Sequence, residues 1–100
     1  MRSSGFTLPW IEARREILSE IEAARLALAR AWGWRKTSQA NGQLYDRVES
    51  EWKRSQQLFG KKVERLNQRI ADFNLQAPSL RFHLSKLDAE TEIGTICKDS

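Results

Sequence analysis

The chain has 100 residues, of which 40% are hydrophobic and 30% are charged, and its formal net charge is +4 at pH 7. A chain of this length forms one small domain and buries only roughly 60% of the surface that it exposes when unfolded. The single cysteine excludes an internal disulfide, and no apolar run approaches the ~20 residues that span a membrane. We therefore expect a small, soluble, helical and intracellular protein that does not span a membrane.

The first predicted element is a helix that starts at Pro9, because proline fits the first helical position. Apolar residues then recur at helical spacing and predict one apolar stripe. This stripe comprises Trp10, Ile11, Ile17, Leu18, Ile21, Ala24, Leu28, Ala31 and Trp32. Gly33 is expected to end the helix after about 24 residues, because glycine adopts a left-handed backbone at little cost.

A loop of residues 34–38 is expected to lead into a second helix, which begins between residues 38 and 43. Its apolar residues follow the three-four spacing that is typical of a coiled-coil seam. The seam comprises Tyr45, Val48, Trp52, Ser55, Phe59, Val63, Leu66, Ile70 and Phe73. Pro78 disfavours a helical backbone at the residue before it, so the helix is predicted to end near Asn74 or Leu75.

The two helices are expected to pair as a long antiparallel hairpin, with Phe59 opposite Ile17. The first helix would be roughly 36 Å long and the second roughly 50 Å long, at the usual rise per residue. Ile70 and Phe73 would then extend beyond the first helix, and another segment would have to cover them.

The predicted cover is a C-terminal strap, defined as residues 78–86, which we expect to be extended or irregular with Leu80, Phe82 and Leu84 alternating. Asp88 is the predicted N-cap of a short third helix that ends near Cys97. The predicted fold class is all-α, a helical hairpin closed by the strap and the short helix. The predicted organisation is an arm (1–8), one hairpin domain (9–97) and a tail (98–100).

The chain offers little for catalysis. His83 is the only histidine, and its distance in sequence from Cys97 matches no metal-ligand spacing. Cys97 also has no histidine nearby to act as its base. No glycine-rich loop follows a strand. We therefore expect no enzymatic activity, no metal, no cofactor and no small-molecule substrate.

Lysine and arginine are concentrated along the second helix and at the expected turn. The candidate partner-binding residues are Trp34, Arg35, Lys36, Lys61, Lys62, Arg65 and Arg69. One interpretation is an electrostatic face for RNA, with Trp34 available for stacking. The other is a solvated helix face that the acidic C-terminal residues balance. The end of the second helix is a further candidate contact surface.

Two stretches carry a family resemblance: LPWIEARREI at residues 8–17 and LNQRIADFNLQAP at residues 66–78, continuing to residues 87–93. Together they resemble the conserved domain of the DnaJ homologue subfamily C member twenty-eight family, a domain of unknown function. The similarity covers roughly residues 6–95, and its most specific part is the Asn-x-x-Ile-x-Asp-Phe-Asn-Leu string.

The chain departs from that family in several respects. Family members often carry Pro-Glu-Trp-Ile, whereas Trp10 follows Pro9 directly here, and the Gly- and Pro-rich upstream half of the domain is expected to be missing. His83 is followed by Leu84 and Ser85, so it does not form the His-Pro-Asp motif of a J-domain. The resemblance thus implies neither co-chaperone activity nor catalytic residues. It implies a mitochondrial location, with the cytoplasm as the alternative.

The residue types of the motif predict a structural clasp that holds the C-terminal segment. The motif residues are Pro9, Trp10, Asn67, Ile70, Asp72, Phe73, Asn74, Pro78 and Asp88. Asp72 and Asn74 are expected to bind backbone groups of the following turn. Asn67 and Arg69 are expected to fix the returning segment, which ends at residues 88–92.

Three hypotheses for function follow. The first is a non-catalytic accessory or scaffold subunit of a larger assembly, such as a mitochondrial ribonucleoprotein or respiratory complex. The second is a chaperone-related adaptor without its own J-domain. The third is an RNA-binding module that uses Arg35, Lys36 and the basic face of the second helix. Protein partners are thus expected, and RNA stays an open alternative.

Overall fold

A computed structural model describes residues 8–42 and 46–98. These residues form three α-helices and a 3-10 turn in the strap: α1 (Leu8–Ala40), α2 (Asp46–Gln76), the turn (Leu80–Phe82) and α3 (Ala89–Lys98). The described ranges contain no β-strand, and the all-α prediction is confirmed. Leu8 and Lys98 belong to helices. The rest of the predicted arm and tail lies outside the described residues, as does Tyr45 of the seam.

The first helix does not end at Gly33 but continues for about two more turns to Ala40. Gly42, with φ +72°, is the described glycine that adopts the left-handed backbone. The N–H of Asn41 donates to the carbonyl of Thr37 at 3.0 Å and closes the helix end. The predicted end was wrong because a glycine inside a helix costs only about 1 kcal/mol, which contacts of the following turns can outweigh.

Those following turns contact the start of α2. Arg35 forms an ion pair with Glu49, with Nη2 and Oε2 2.6 Å apart. The side chain of Ser38 is buried. Just before Gly33, the ring of Trp32 lies 5.1 Å from the ring of Trp52. The predicted loop of residues 34–38 is therefore helical, because the ion pair of Arg35 and the burial of Ser38 stabilise the extension of α1 past Gly33.

The later turn changes which residues face each other across the hairpin. Phe59, expected opposite Ile17, instead belongs to a buried cluster with Ala24 and Leu28 of α1. Ile17 belongs to a second cluster, which includes Phe73 near the end of α2. The predicted register was wrong because a displaced turn shifts every cross-helix pair by twice its displacement.

The overhang predicted at the end of α2 is absent, because α1 has 33 residues and α2 has 31. Ile70 and Phe73 are only 2% and 4% exposed, and they pack against Ile17 and Ile21 of α1. The far end of the hairpin is thus covered mainly by α1 itself. The strap and α3 add to a core that the two long helices already form.

The strap is a 3-10 turn followed by irregular backbone, and irregular was one of the two forms expected for it. Ser79 caps the turn by accepting a hydrogen bond from the N–H of Arg81. As a result Leu80 is exposed, while the ring of Phe82 lies edge-on to Trp10 with centroids 4.8 Å apart. The expected alternation fails because the turn rotates neighbouring side chains to different sides.

The shape of the molecule follows from its two long helices. Its principal extents are 59 × 26 × 20 Å and its radius of gyration is 17.3 Å, whereas a compact chain of this length has a radius near 13 Å. No described helix is long and apolar enough to span a membrane. The elongated hairpin leaves long side surfaces, and α3 is too short to cover all of them.

Candidate protein-docking groove

Two asparagines of α2 hold the returning C-terminal segment. The Nδ2 of Asn74 donates to the carbonyl of Leu84 at 3.1 Å, and the N–H of Leu84 donates back to Oδ1 at 2.8 Å. Asn67 makes the same pair of bonds with Leu87, at 2.9 and 2.8 Å. The Nε of Arg14 on α1 donates to the carbonyl of Phe82 at 3.1 Å. Side chains from both long helices therefore bind the backbone of this segment.

Other motif residues lie near these bonds but act differently. Trp10 packs beside Phe73, with ring centroids 6.4 Å apart. Pro9 is exposed in the first turn of α1, and Pro78 is exposed just after the end of α2. Asp72 is exposed, and its side chain forms no hydrogen bond with another described residue, so the expected bond from Asp72 to the following turn is not formed among the described residues.

Arg69 was expected to fix the returning segment, but it pairs with two glutamates of α1 instead. Its guanidinium donates to Glu20 and lies 3.7 Å from Glu16. Asp88 instead caps α3 by accepting a hydrogen bond from the N–H of Thr91 at 3.1 Å. Arg69 therefore links the two long helices and is not part of the contact with the C-terminal segment.

The third helix covers one side of the hairpin. Ile93 and Ile96 pack on the cluster that contains Leu28, and Arg25 donates two hydrogen bonds to Glu92, at 2.7 and 2.9 Å. These bonds from Arg25 hold the pKa of the Glu92 carboxyl below its ordinary value. A short amphipathic helix with one acidic anchor thus docks on this side.

A groove lies between the two long helices on the other side. Ala27 is about 200° from Arg25 around α1, and Leu58 is about 180° from Asn67 around α2, at the usual rotation per residue. The groove has a volume of about 330 Å³. Its floor and walls include Ala24, Ala27, Leu28, Ser55, Leu58 and Phe59. Leu58 is 54% exposed, so apolar surface is open to solvent here.

The rim of this groove is basic. Lys61, Lys62 and Arg65 line it from α2, and all three side chains are exposed. None of the ion pairs among the described residues involves them, whereas Arg35 and Arg69 each pair with glutamate. Three of the candidate cations are thus available to an anionic partner beside an apolar floor.

The remaining candidates lie elsewhere. Trp34, Arg35 and Lys36 belong to the last turns of α1 rather than to a turn between helices, roughly 10 Å further along the helix than Ala27. Trp34 is 48% exposed, while the guanidinium of Arg35 lies 5.2 Å from the ring of Trp32. The seven predicted contact residues therefore form no single surface.

The other residues considered from the sequence are His83 and Cys97. No group of three or more histidine, cysteine, aspartate or glutamate side chains in the described part of the chain could hold a metal ion. His83 is partly buried in the strap, and Cys97 is partly buried against the cluster around Leu28. Neither residue lines the groove.

The sequence alone does not indicate the apolar half of the groove, namely Ala27 and Leu58. Both lie outside the predicted stripe and seam, and an exposed leucine or alanine on a helix is ordinary by itself. A signal was present in Ser55, whose small polar side chain interrupts the seam one turn before Phe59. A small residue in a seam leaves space between two helices.

Comparison with known proteins finds a relative in the mouse. The chain is 33% identical over 90 residues to the mouse protein DnaJ homolog subfamily C member 28. The alignment covers 90% of this chain but only 22% of the length of that protein. No protein-family model matches the chain, and no solved structure matches it. The similarity thus concerns one portion of a longer relative.

Proposed function

We propose that this chain is a non-catalytic helical adaptor, a part of a larger assembly that works by docking a partner protein. The observation that carries the proposal is the open side of the hairpin. Leu58 is 54% exposed there, above a groove lined by Ala27 and Phe59. Exposed apolar surface with a polar rim is typical of a site for protein interaction.

The elongated hairpin fits this role. Two long helices that pack along their whole length form a rigid support, because Ile17, Leu28 and Phe73 are each at most 4% exposed. The C-terminal segment is fixed by side-chain bonds to its backbone rather than left to move freely. A rigid surface binds a partner without an ordering cost of its own.

An RNA-binding role has less support. Arg35 and Arg69, two of the predicted RNA contacts, are neutralised by glutamates within the molecule. Trp34, the predicted stacking residue, lies in the last turns of α1 with Lys36 and does not line the groove that Lys61, Lys62 and Arg65 line. The three unpaired cations surround alanine and leucine rather than an exposed aromatic ring, and nucleic-acid bases stack preferentially on aromatic rings.

A chaperone-related adaptor is the second candidate. The similarity to a DnaJ homolog over 90 residues favours it. In this version the hairpin would act beside a J-domain supplied by another chain or another part of a longer protein. A mitochondrial location, and an assembly such as a ribonucleoprotein or respiratory complex, belong to the first candidate. Imaging of the tagged chain with a mitochondrial marker tests the location.

Affinity purification of the full chain followed by mass spectrometry tests the proposal. We expect at least one protein to co-purify in a fixed ratio. Recovery of an Hsp70 or a J-protein in that ratio would favour the chaperone-related version, and recovery of subunits of another stable assembly would favour the first. A chain that purifies alone, or only with RNA that nuclease removes, would contradict the proposal.

A further inference from the structure

We infer that the groove between α1 and α2, on the side away from α3, binds an acidic amphipathic α-helix of a partner protein. This inference rests on the proposed adaptor function and specifies the kind of partner. It combines the shape of the groove, the charge of its rim and the way α3 docks on the other side of the same hairpin.

The shape of the groove fits a helix. Ala24 and Ala27 keep the α1 wall low, and Leu58 and Phe59 form the apolar wall on α2. The groove runs between two antiparallel helices, so a third helix that lies along it completes a bundle. Side chains at helical spacing on one stripe of that helix then meet the alanines and Leu58.

The charge of the rim selects an acidic helix. Lys61, Lys62 and Arg65 are exposed along one edge and form no ion pair with a described residue. A basic helix would bring like charges together, whereas glutamates flanking an apolar stripe would meet these cations. Opposite charges on the rim raise the association rate and exclude helices of the wrong charge.

The molecule already contains an example of this arrangement. On the side of α3, Ile93 and Ile96 pack on the core while Glu92 pairs with Arg25 of α1. The partner helix would repeat this combination of apolar stripe and acidic anchor on the opposite side.

A second copy of the chain does not fit the groove. In a two-fold symmetric dimer the same surface meets itself, so Lys61, Lys62 and Arg65 would face the same cations of the other copy. The repulsion would oppose the small apolar contact that Leu58 and Ala27 provide. An acidic helix has no such conflict.

Selection from a displayed peptide library tests the inference. The library contains helices of about three heptads with leucine at the a and d positions and lysine, glutamate, serine or alanine elsewhere, and the full chain is the bait. We expect glutamate-rich helices to be enriched. Enrichment of neutral or lysine-rich helices, or no enrichment, would overturn the inference.

Variants of the full chain then locate the site. Leu58→Ala, and separately the pair Lys62→Glu with Arg65→Glu, are expected to weaken binding of the enriched peptide about tenfold. The matched controls are Leu26→Ala, since Leu26 is 49% exposed on α1, and the pair Arg15→Glu with Lys53→Glu, which changes the net charge equally. Equal losses in the controls would overturn the inference.

The remaining outcomes are also decisive. Self-association of the chain that Leu58→Ala abolishes would assign the groove to a second copy. Binding of a uridine oligonucleotide that is lost with Lys62 and Arg65 but kept in Leu58→Ala would assign the rim to RNA. Either result overturns the inference. If a co-purifying partner binds all groove variants as well as the unchanged chain, the adaptor function would still hold. That result would contradict only the proposed site.

Discussion

Asn67 and Asn74 lie two turns apart on the same side of α2, and each offers an amide group to one residue of the returning chain. Each amide both donates to a carbonyl and accepts from an N–H of the same residue. The backbone of Leu84 and Leu87 is satisfied in this way although no strand lies beside it. An asparagine suits the position because it carries a donor and an acceptor together.

Asn67→Ala is expected to lower the free energy of unfolding by about 1–3 kcal/mol, because both backbone groups of Leu87 lose their partner. Urea unfolding at pH 7 measures the change. Gln68→Ala is the matched control, since Gln68 is the exposed neighbour on α2. Equal effects of the two substitutions would contradict the role assigned to Asn67.

Phe73 is 4% exposed and packs within the cluster of Ile17 and Ile70. Phe73→Ala is therefore expected to cost about 3–5 kcal/mol of stability, and Phe73→Leu less than Phe73→Ala because it removes fewer buried atoms. Leu75→Ala, at a side chain that is 86% exposed, serves as the control. Thermal unfolding gives the order, and an unchanged midpoint for Phe73→Ala would show that the ring is not buried.

At the scale of elements, the length of α1 decides the rest of the fold. A helix that ended at Gly33 would leave the C-terminal end of α2 without a partner. The helix that reaches Ala40 packs along α2 as far as that end. Gly33 and Gly42, the two glycines near the C-terminal end of α1, differ in backbone conformation. Gly33 lies inside the helix, with open space where a side chain would begin, and Gly42 carries the left-handed backbone, with φ +72°.

Gly33→Ala is accordingly expected to stabilise the protein by about 0.5–1 kcal/mol, since alanine is the better helix former and the added methyl group meets no side chain within 4 Å. Gly42→Ala is expected to destabilise it, because alanine is strained at that φ. Chemical unfolding of both variants measures the contrast. Loss of stability in Gly33→Ala would restore Gly33 as the helix end.

The docking of α3 depends on an acid whose native pKa is lowered. Hydrogen bonds from Arg25 lower the pKa of Glu92 below its ordinary 4.5, and those from Thr91 lower the pKa of Asp88. A lowered native pKa means that the ionised carboxylate favours the folded state. This contribution is complete above the unfolded value and is lost as the pH falls through the native value.

The stability gap between wild type and Glu92→Gln is therefore expected to be present at pH 7 and to shrink as the pH drops below 4.5. At pH 7 the gap should stay below about 1 kcal/mol, because Arg25 is 43% exposed and solvent screens the pair. Urea unfolding from pH 7 to pH 3 measures it. A gap that grows on acidification would contradict the assigned pair.

For the whole molecule, the sequence predicts the buried residues of α2 well, because its three-four spacing runs from Val48 to Phe73 and only Ser55 interrupts the apolar pattern. It does not predict the turn, since Gly33 and Gly42 offer equally good local signals and only contacts across the hairpin choose between them. The overhang that the sequence wrongly predicts for the end of α2 follows from placing the turn too early in the chain. Contacts between distant residues, such as Arg35 with Glu49, leave no local pattern.

The candidate site, too, can be predicted from the sequence only in part. Lys61, Lys62 and Arg65 could be identified from charge alone, but their apolar neighbours could not. Ala27 and Leu58 become a surface only when the register brings α1 and α2 together and α3 occupies the opposite side. Which cations are unpaired also depends on the fold, because the glutamates that neutralise Arg69 lie on the other helix.

Photo-crosslinking in cells tests the central claim most directly, that the uncovered side of the hairpin is the docking surface. A benzophenone side chain is placed at Leu58 in the groove or at Leu26 on α1, two positions of similar exposure, 54% and 49%. The probe at position 58 is expected to give one discrete adduct whose crosslinked peptide lies in an acidic amphipathic helix. Equal adducts from both positions, or an adduct from position 26 alone, would contradict the account.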